Sequence, residues 1–321
     1  MEYLTTYPAL PSVPLDPKVA ADLRARADAT PFYRMPPPMG RAAFDALLAG
    51  APKLNEAIAQ VEDHVIKGPA HDVPVRTYTP LGAGPFPVLL YIHGGGWVIG
   101  SRDSHDELCR SLCSRSAALV VSVDYRLSPE HKFPAALEDC YAVLNWYARQ
   151  ATEQVDRRRV AVAGDSAGGN LSAALALYAR DKGGPPLRLQ VLIYPVTNCA
   201  FDTASYHENA EGFGLTRDAM IHYWGCYLAR QDDGRSSYAS PLQAANLRDL
   251  PPALIQTAQY DVLRDDGEAY AARLHRAGIS VRCTRYAAMN HGFIQFGASY
   301  EHARVAIQEI ADALREAFSR S

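Results

Sequence analysis

No stretch of this 321-residue chain approaches the ~18 consecutive apolar residues that a membrane-spanning helix needs, so a membrane protein is not expected. A surplus of charge of one sign is also missing. The 32 basic and 35 acidic residues leave a formal charge of −3, which removes the electrostatic case for nucleic acid or an anionic membrane as partner. The densest basic run, Arg157-Arg158-Arg159, stands before an apolar stretch and is expected to be a solvated turn. Cysteine is sparse and scattered. Cys109, Cys113, Cys140, Cys199, Cys226 and Cys283 include no CxxC pair, and a chain of this length buries a core without disulfide staples. Only Cys109 and Cys113 approach metal-ligand spacing, and no second pair accompanies them. Reduced thiols, a cytoplasmic location and no metal are therefore expected. Met1 to Pro17 holds no Lys or Arg and is interrupted by Pro8, Pro11 and Pro14, which argues against a secretory signal.

Proline crowds the start of the chain, with Pro8, Pro11, Pro14, Pro17, Pro31, Pro36, Pro37 and Pro38 in the first forty residues. Proline removes ladder donors, so this segment is expected to supply no sheet strand. Short helices over 17–29 and 41–48 fit between the prolines, and residues 1–50 are expected to form a helical arm. Beyond it, apolar strand patterns at 62–66, 75–79, 88–93, 119–124, 160–164, 189–194, 253–258 and 280–286 alternate with helix patterns at 105–116, 134–150, 167–181, 266–277 and 300–319. Continuous apolar runs such as Val88-Leu89-Leu90-Tyr91-Ile92 suit strands covered on both faces of a parallel sheet. The first two strands have no helix between them and predict an antiparallel edge hairpin. The rhythm fails once, from Cys199 to Pro252, where a loop over 202–214 and a helix over 216–228 capped by Thr216 are expected. The predicted fold is α/β: a mostly parallel eight-stranded sheet flanked by helices. Residues 51–198 and 236–321 form its core, and an insertion at 199–235 completes a cap.

Gly164-Asp165-Ser166-Ala167-Gly168 follows the apolar run Val160 to Ala163 and precedes a helix-forming stretch. This is the G-x-S-x-G pattern in its strand–turn–helix setting. Glycine is needed where strand and helix crowd together, and a strained turn holds the serine hydroxyl clear while the helix N-terminus faces a developing oxyanion. A glycine-rich turn carrying an incidental serine is the plain alternative. A second signal weighs against it: His93-Gly94-Gly95-Gly96-Trp97 follows the strand at 88–92. Three consecutive glycines make sense where backbone amides must approach a reacting atom, and with Ala167 they are candidate oxyanion donors. His93 is expected to pin the loop. A dinucleotide fingerprint fails at Ile99 and at Ser166, and no G-K-[ST] occurs.

A serine nucleophile requires a base, and the base an orienting acid. Of the histidines after Ser166, His275 and His302 fall in helix patterns and His207 and His222 in the insertion. His291 follows the last strand, where ligands of open α/β sheets gather. Asp261 follows the strand at 253–258. Asp265 and Asp266 are its nearby rivals and suit the start of the next helix.

These residues make the chain resemble the hormone-sensitive-lipase-like carboxylesterases of the α/β-hydrolase superfamily. The resemblance runs from about residue 60 to the end and rests on His93-Gly94-Gly95-Gly96-Trp97, Asp124-Tyr125-Arg126-Leu127, Pro129-Glu130-His131, Phe133-Pro134-Ala135, Gly164 to Asn170, Tyr260-Asp261, Leu263-Arg264-Asp265 and His291-Gly292-Phe293. It implies Ser166 as nucleophile, Asp261 as acid and His291 as base. It also implies an oxyanion hole from Gly94, Gly95, Gly96 and Ala167, with Gly95 and Gly96 favoured, and no cofactor. Ser128, Gln259 and Val262 depart from the family's usual alanine, glutamate and proline. The expected activity is hydrolysis of short- to medium-chain acyl esters. Amide or lactone cleavage remains an alternative on the same residues, and a non-catalytic receptor of this fold is disfavoured by the presence of His291. Trp97, Asp165, Phe213 and Tyr223 are candidate substrate contacts. Tyr206, Phe213, Tyr223, Trp224 and Tyr227 make the insertion rich in aromatics, and the plainer reading of them is glue between cap and body. The expected partner is a small-molecule ester, with no nucleic acid and no membrane, and a homodimer is left open.

Overall fold

A computed structural model describes residues 4–6, 13–68, 71–149 and 154–320. Pro8, Pro11 and Gln150 lie outside the described residues. The strands are β1 (Leu4–Thr6), β2 (Gln60–Lys67), β3 (Asp72–Thr79), β4 (Phe86–Ile92), β5 (Leu119–Val123), β6 (Val155–Asp165), β7 (Gln190–Ile193), β8 (Ala253–Tyr260) and β9 (Val281–Asn290). They form one sheet in the order β1-β9-β8-β7-β6-β4-β5-β3-β2. The β2–β3 and β3–β5 pairs are antiparallel and all others are parallel. The helices are α1 (Pro17–Ala25), α2 (Pro37–Ala49), α3 (Asp106–Ser116), α4 (Ala135–Arg149), α5 (Ala167–Asp181), α6 (Ala204–Glu208), α7 (Arg217–Tyr227), α8 (Arg264–Arg276) and α9 (Glu301–Ser319).

The alternation of β4 explains its unbroken apolar sequence. Val88, Leu90 and Ile92 pack on α4 and α5, whereas Leu89 and Tyr91 pack on α3 and α9, and all five are buried. Each such aliphatic side chain contributes about 1.5–3 kcal/mol on burial. Among the described residues, no helix is long and apolar enough to cross a membrane.

The eight expected strands are β2 to β9, and the edge hairpin is β2–β3. Three expectations are corrected. The proline-rich start does supply a strand: β1 pairs in parallel with β9, because Leu4, Thr5 and Thr6 precede the first proline and keep their ladder donors. Arg157 to Arg159 lie on a strand rather than in a turn. Phe86 pairs with Val155 across an irregularity, which draws β6 out to the solvated edge. The loop expected over 202–214 contains α6, whose Tyr206 is fully buried.

Candidate active site

Sheet register places the site. Ile92 pairs with Gly164, so β4 and β6 end level and the glycine loop emerges beside the Ser166 turn. Tyr260 pairs with Asn290 after a shift in register, so Asp261 and His291 leave adjacent strands side by side. Both strands run beyond their sequence-expected ends, to Tyr260 and Asn290. His291 is therefore the first residue past a strand.

The Ser166 turn is strained as its motif demands, with φ 56° and ψ −118°. The glycine requirement has named causes. A β-carbon on Gly168 would lie 1.9 Å from the Ile92 carbonyl oxygen, and one on Gly164 would lie 2.4 Å from the Gly168 backbone. Ser166 donates its amide to the Ile193 carbonyl, and its hydroxyl lies 3.0 Å from His291 Nε2. His291 Nδ1 is 2.7 Å from Asp261 Oδ2, while Asp261 Oδ1 accepts the Leu263 amide at 2.9 Å. Asp261 is buried, and the Tyr194 ring supports the imidazole with centroids 4.5 Å apart. Tyr194 itself has a φ of 34°. Asp265 is engaged by Arg264 and the Ser205 amide. Asp266 is buried, and that burial pushes its carboxyl well above the carboxylate range. His275 and His302 lie on α8 and α9 as expected.

The glycine loop is held from behind. The Asp165 carboxylate accepts from Tyr91 Oη at 2.8 Å and from the Gly94 amide at 3.0 Å, and His105 Nε2 lies 3.1 Å away. Burial alone would raise the Asp165 carboxyl. The His105 imidazole and the Tyr91 and Gly94 donors outweigh it and hold the group at about 2. Neighbouring His93 is buried, stacked on Tyr125 at 4.3 Å, and lowered to about 3, chiefly by desolvation. It pins the loop through the Gly94 carbonyl, 2.8 Å from Nδ1.

These placements revise several expected substrate and oxyanion contacts. Asp165 faces the back of the glycine loop, so its carboxylate is a structural anchor and not a substrate contact. Gly94 gives its amide to that carboxylate and is not available to an oxyanion. Trp97 is fully buried, stacked on Tyr227 at 4.2 Å and packed on Trp224, and cannot line a pocket. Phe213 is partly exposed. Its carbonyl accepts from Asn290 Nδ2 at 2.9 Å and its ring tilts against Tyr260. Tyr223 lies so close to Gly96 that a β-carbon there would be 2.4 Å from its ring. Among the insertion aromatics, Tyr206, Trp224 and Tyr227 are buried glue. Sequence reasoning missed His105, Tyr194, Ser205, Asn209 and Asn290. Only His105 had a local signal, its place eleven residues after Gly94 and before a helix. Among the described residues, no group of three His, Cys, Asp or Glu side chains is arranged to hold a metal.

The strand order and the strained serine turn define an α/β hydrolase. The family model described as alpha/beta hydrolase fold matches residues 89–295. A carboxylic ester hydrolase of Mycobacterium tuberculosis is 43% identical over 267 residues, covering 81% of this chain and 71% of that protein. An ethyl acetate hydrolase of Pseudomonas putida is 33% identical, covering 94% of this chain and 99% of that protein. The crystal structure of a thermostable esterase from Pseudomonas putida ECU1011 superposes with a TM-score of 0.92 at 36% identity, covering 96% of this chain and 99% of that one. The chain belongs to the hormone-sensitive-lipase-like carboxylesterase branch of the α/β-hydrolase superfamily.

Proposed function

We propose that the protein hydrolyses short- to medium-chain acyl esters through a Ser166–His291–Asp261 triad and an acyl-enzyme intermediate. The observation that carries this reading is the continuous chain of contacts from Ser166 Oγ to His291 Nε2, 3.0 Å, and from His291 Nδ1 to Asp261 Oδ2, 2.7 Å. Ser166 Oγ attacks the ester carbonyl as His291 Nε2 takes its proton. Asp261 holds the imidazole in the tautomer with Nδ1–H and stabilises the imidazolium. The amides of Gly95, Gly96 and Ala167 receive the oxyanion, since that of Gly94 is engaged by Asp165. Collapse expels the alcohol, protonated by His291, and water then cleaves the acyl-enzyme by the same route reversed.

The cap over this site is assigned to residues 13–50 and 199–235, since Leu4–Thr6 belongs to the sheet. Tyr223, packed against Gly96, places an aromatic wall beside the oxyanion donors and favours compact acyl groups. A series of p-nitrophenyl esters from acetate to palmitate tests the reading. Turnover is expected to peak between acetate and octanoate, and a maximum at palmitate would overturn the compact pocket.

A further inference from the structure

The turn that carries Asp261 is not held by the sheet alone. It is gripped by α6, which belongs to the insertion. Ser205 Oγ donates to the Val262 carbonyl at 2.7 Å and accepts the Asp265 amide at 3.2 Å, while the Ser205 amide donates to Asp265 Oδ2 at 2.7 Å. One turn later, Asn209 Nδ2 donates to the carbonyls of Gln259 at 3.3 Å and Asp261 at 3.1 Å. Glu208 pairs with Arg264 at 2.9 Å. Ser205 and Asn209 are both buried. The carbonyls of Gln259, Asp261 and Val262 are thus tied to α6 and its C-cap residue Asn209.

A hydrogen bond between imidazole and carboxylate is directional, and small displacements of the carboxylate weaken it sharply. Residues 259–263 form the exit of a strand, where only the β9 side offers ladder partners and the register already shifts. Without the grip from α6 the carbonyls of Asp261 and Val262 would lose buried donors, and the acid turn would keep only its own Leu263 and Arg264 amides to fix the carboxylate's aim at His291.

We propose that Ser205 and Asn209 are positioning residues for the acid, so that the insertion sets the aim of Asp261 as well as covering the site. This rests on the esterase reading above and assigns no direct substrate contact to either residue. The test is steady-state kinetics on p-nitrophenyl butyrate across pH for Asn209→Ala and Ser205→Ala, each alone and in an Asp261→Asn background. Each single substitution is expected to lower kcat about tenfold with KM little changed. Each is also expected to move the acidic limb of kcat/KM to lower pH, because an imidazolium with a poorly aimed carboxylate releases its proton more readily. In the Asp261→Asn background the same substitutions are expected to have no further effect on kcat. Unchanged kcat and pH limb in folded single variants, or full additivity with Asp261→Asn, would overturn the proposal. Should Asn209→Ala fail to fold, the Ser205→Ala cycle decides alone. Wild-type turnover abolished by Ser166→Ala keeps the esterase reading separate, since it stands whichever way the α6 variants behave.

Discussion

The two halves of the site are fixed by different physics. On one side, the Ser166 turn and the glycine loop are locked by backbone crowding. Gly168 touches the Ile92 carbonyl, Gly164 touches Gly168, and the buried Asp165 charge gathers Gly94, Tyr91 and His105 behind the loop. On the other side, Asp261 and His291 stand on strand exits whose conformation depends on side-chain hydrogen bonds from distant segments. Ser205 and Asn209 hold the acid turn, and Asn290 fastens the base turn to the Phe213 carbonyl. The half that must present a strained serine is rigid by construction. The half proposed to move protons is tied to the insertion.

Breaking the rigid half at its charge should give the larger effect. Asp165→Asn keeps the shape but removes the carboxylate that holds the Gly94 amide. We expect kcat to fall on the order of 10- to 100-fold with KM within about twofold, since a displaced donor loop weakens oxyanion contacts made only in the transition state. Unchanged kcat in this variant would mean that crowding alone fixes the loop.

A smaller effect sharpens the same contrast through pH. His93 is held at about 3 in the folded state, against a usual histidine value near 6.5. Between those values the unfolded chain takes up a proton that the folded chain refuses. Stability from this group is therefore complete above about pH 6.5 and declines as pH falls, by at most about 1.4 kcal/mol per unit. The lowered Asp165 carboxyl adds a further loss only below about pH 4. Urea denaturation from pH 7 to pH 4 should show a shallower decline for His93→Gln than for the wild type. Parallel slopes would show that His93 titrates normally.

The same contrast explains what the sequence disclosed. Gly164, Ser166 and Gly168 sit within one short motif because crowding is a local requirement, and the glycine loop is legible for the same reason. The parallel strands were equally plain, since burial on both faces leaves unbroken apolar runs such as Val88 to Ile92. Asp261 and His291 were reachable through chain order and their place after strands. The grip on the acid turn was not: Asn209 lies 52 residues from Asp261, and a buried asparagine has no spacing that announces its partner. Asp165 was misread as a substrate contact because its neighbour Ser166 faces the site, whereas its own carboxylate turns back toward Gly94. Trp97 was misread likewise, since only the fold shows Tyr227 stacked against it. The strand at Leu4 to Thr6 escaped notice because the prolines that follow it dominate the composition of the segment.

The central claim is that Ser166 is the nucleophile, made reactive by His291. It is tested most directly by treating the protein with a p-nitrophenyl alkylphosphonate, then locating the adduct by peptide mass and following residual ester turnover. The account predicts a single adduct on Ser166, turnover lost in proportion to labelling, and a Ser166→Ala variant that is unlabelled and slower by about 10⁴- to 10⁶-fold. Labelling confined to another residue, or undiminished turnover in Ser166→Ala, would contradict it.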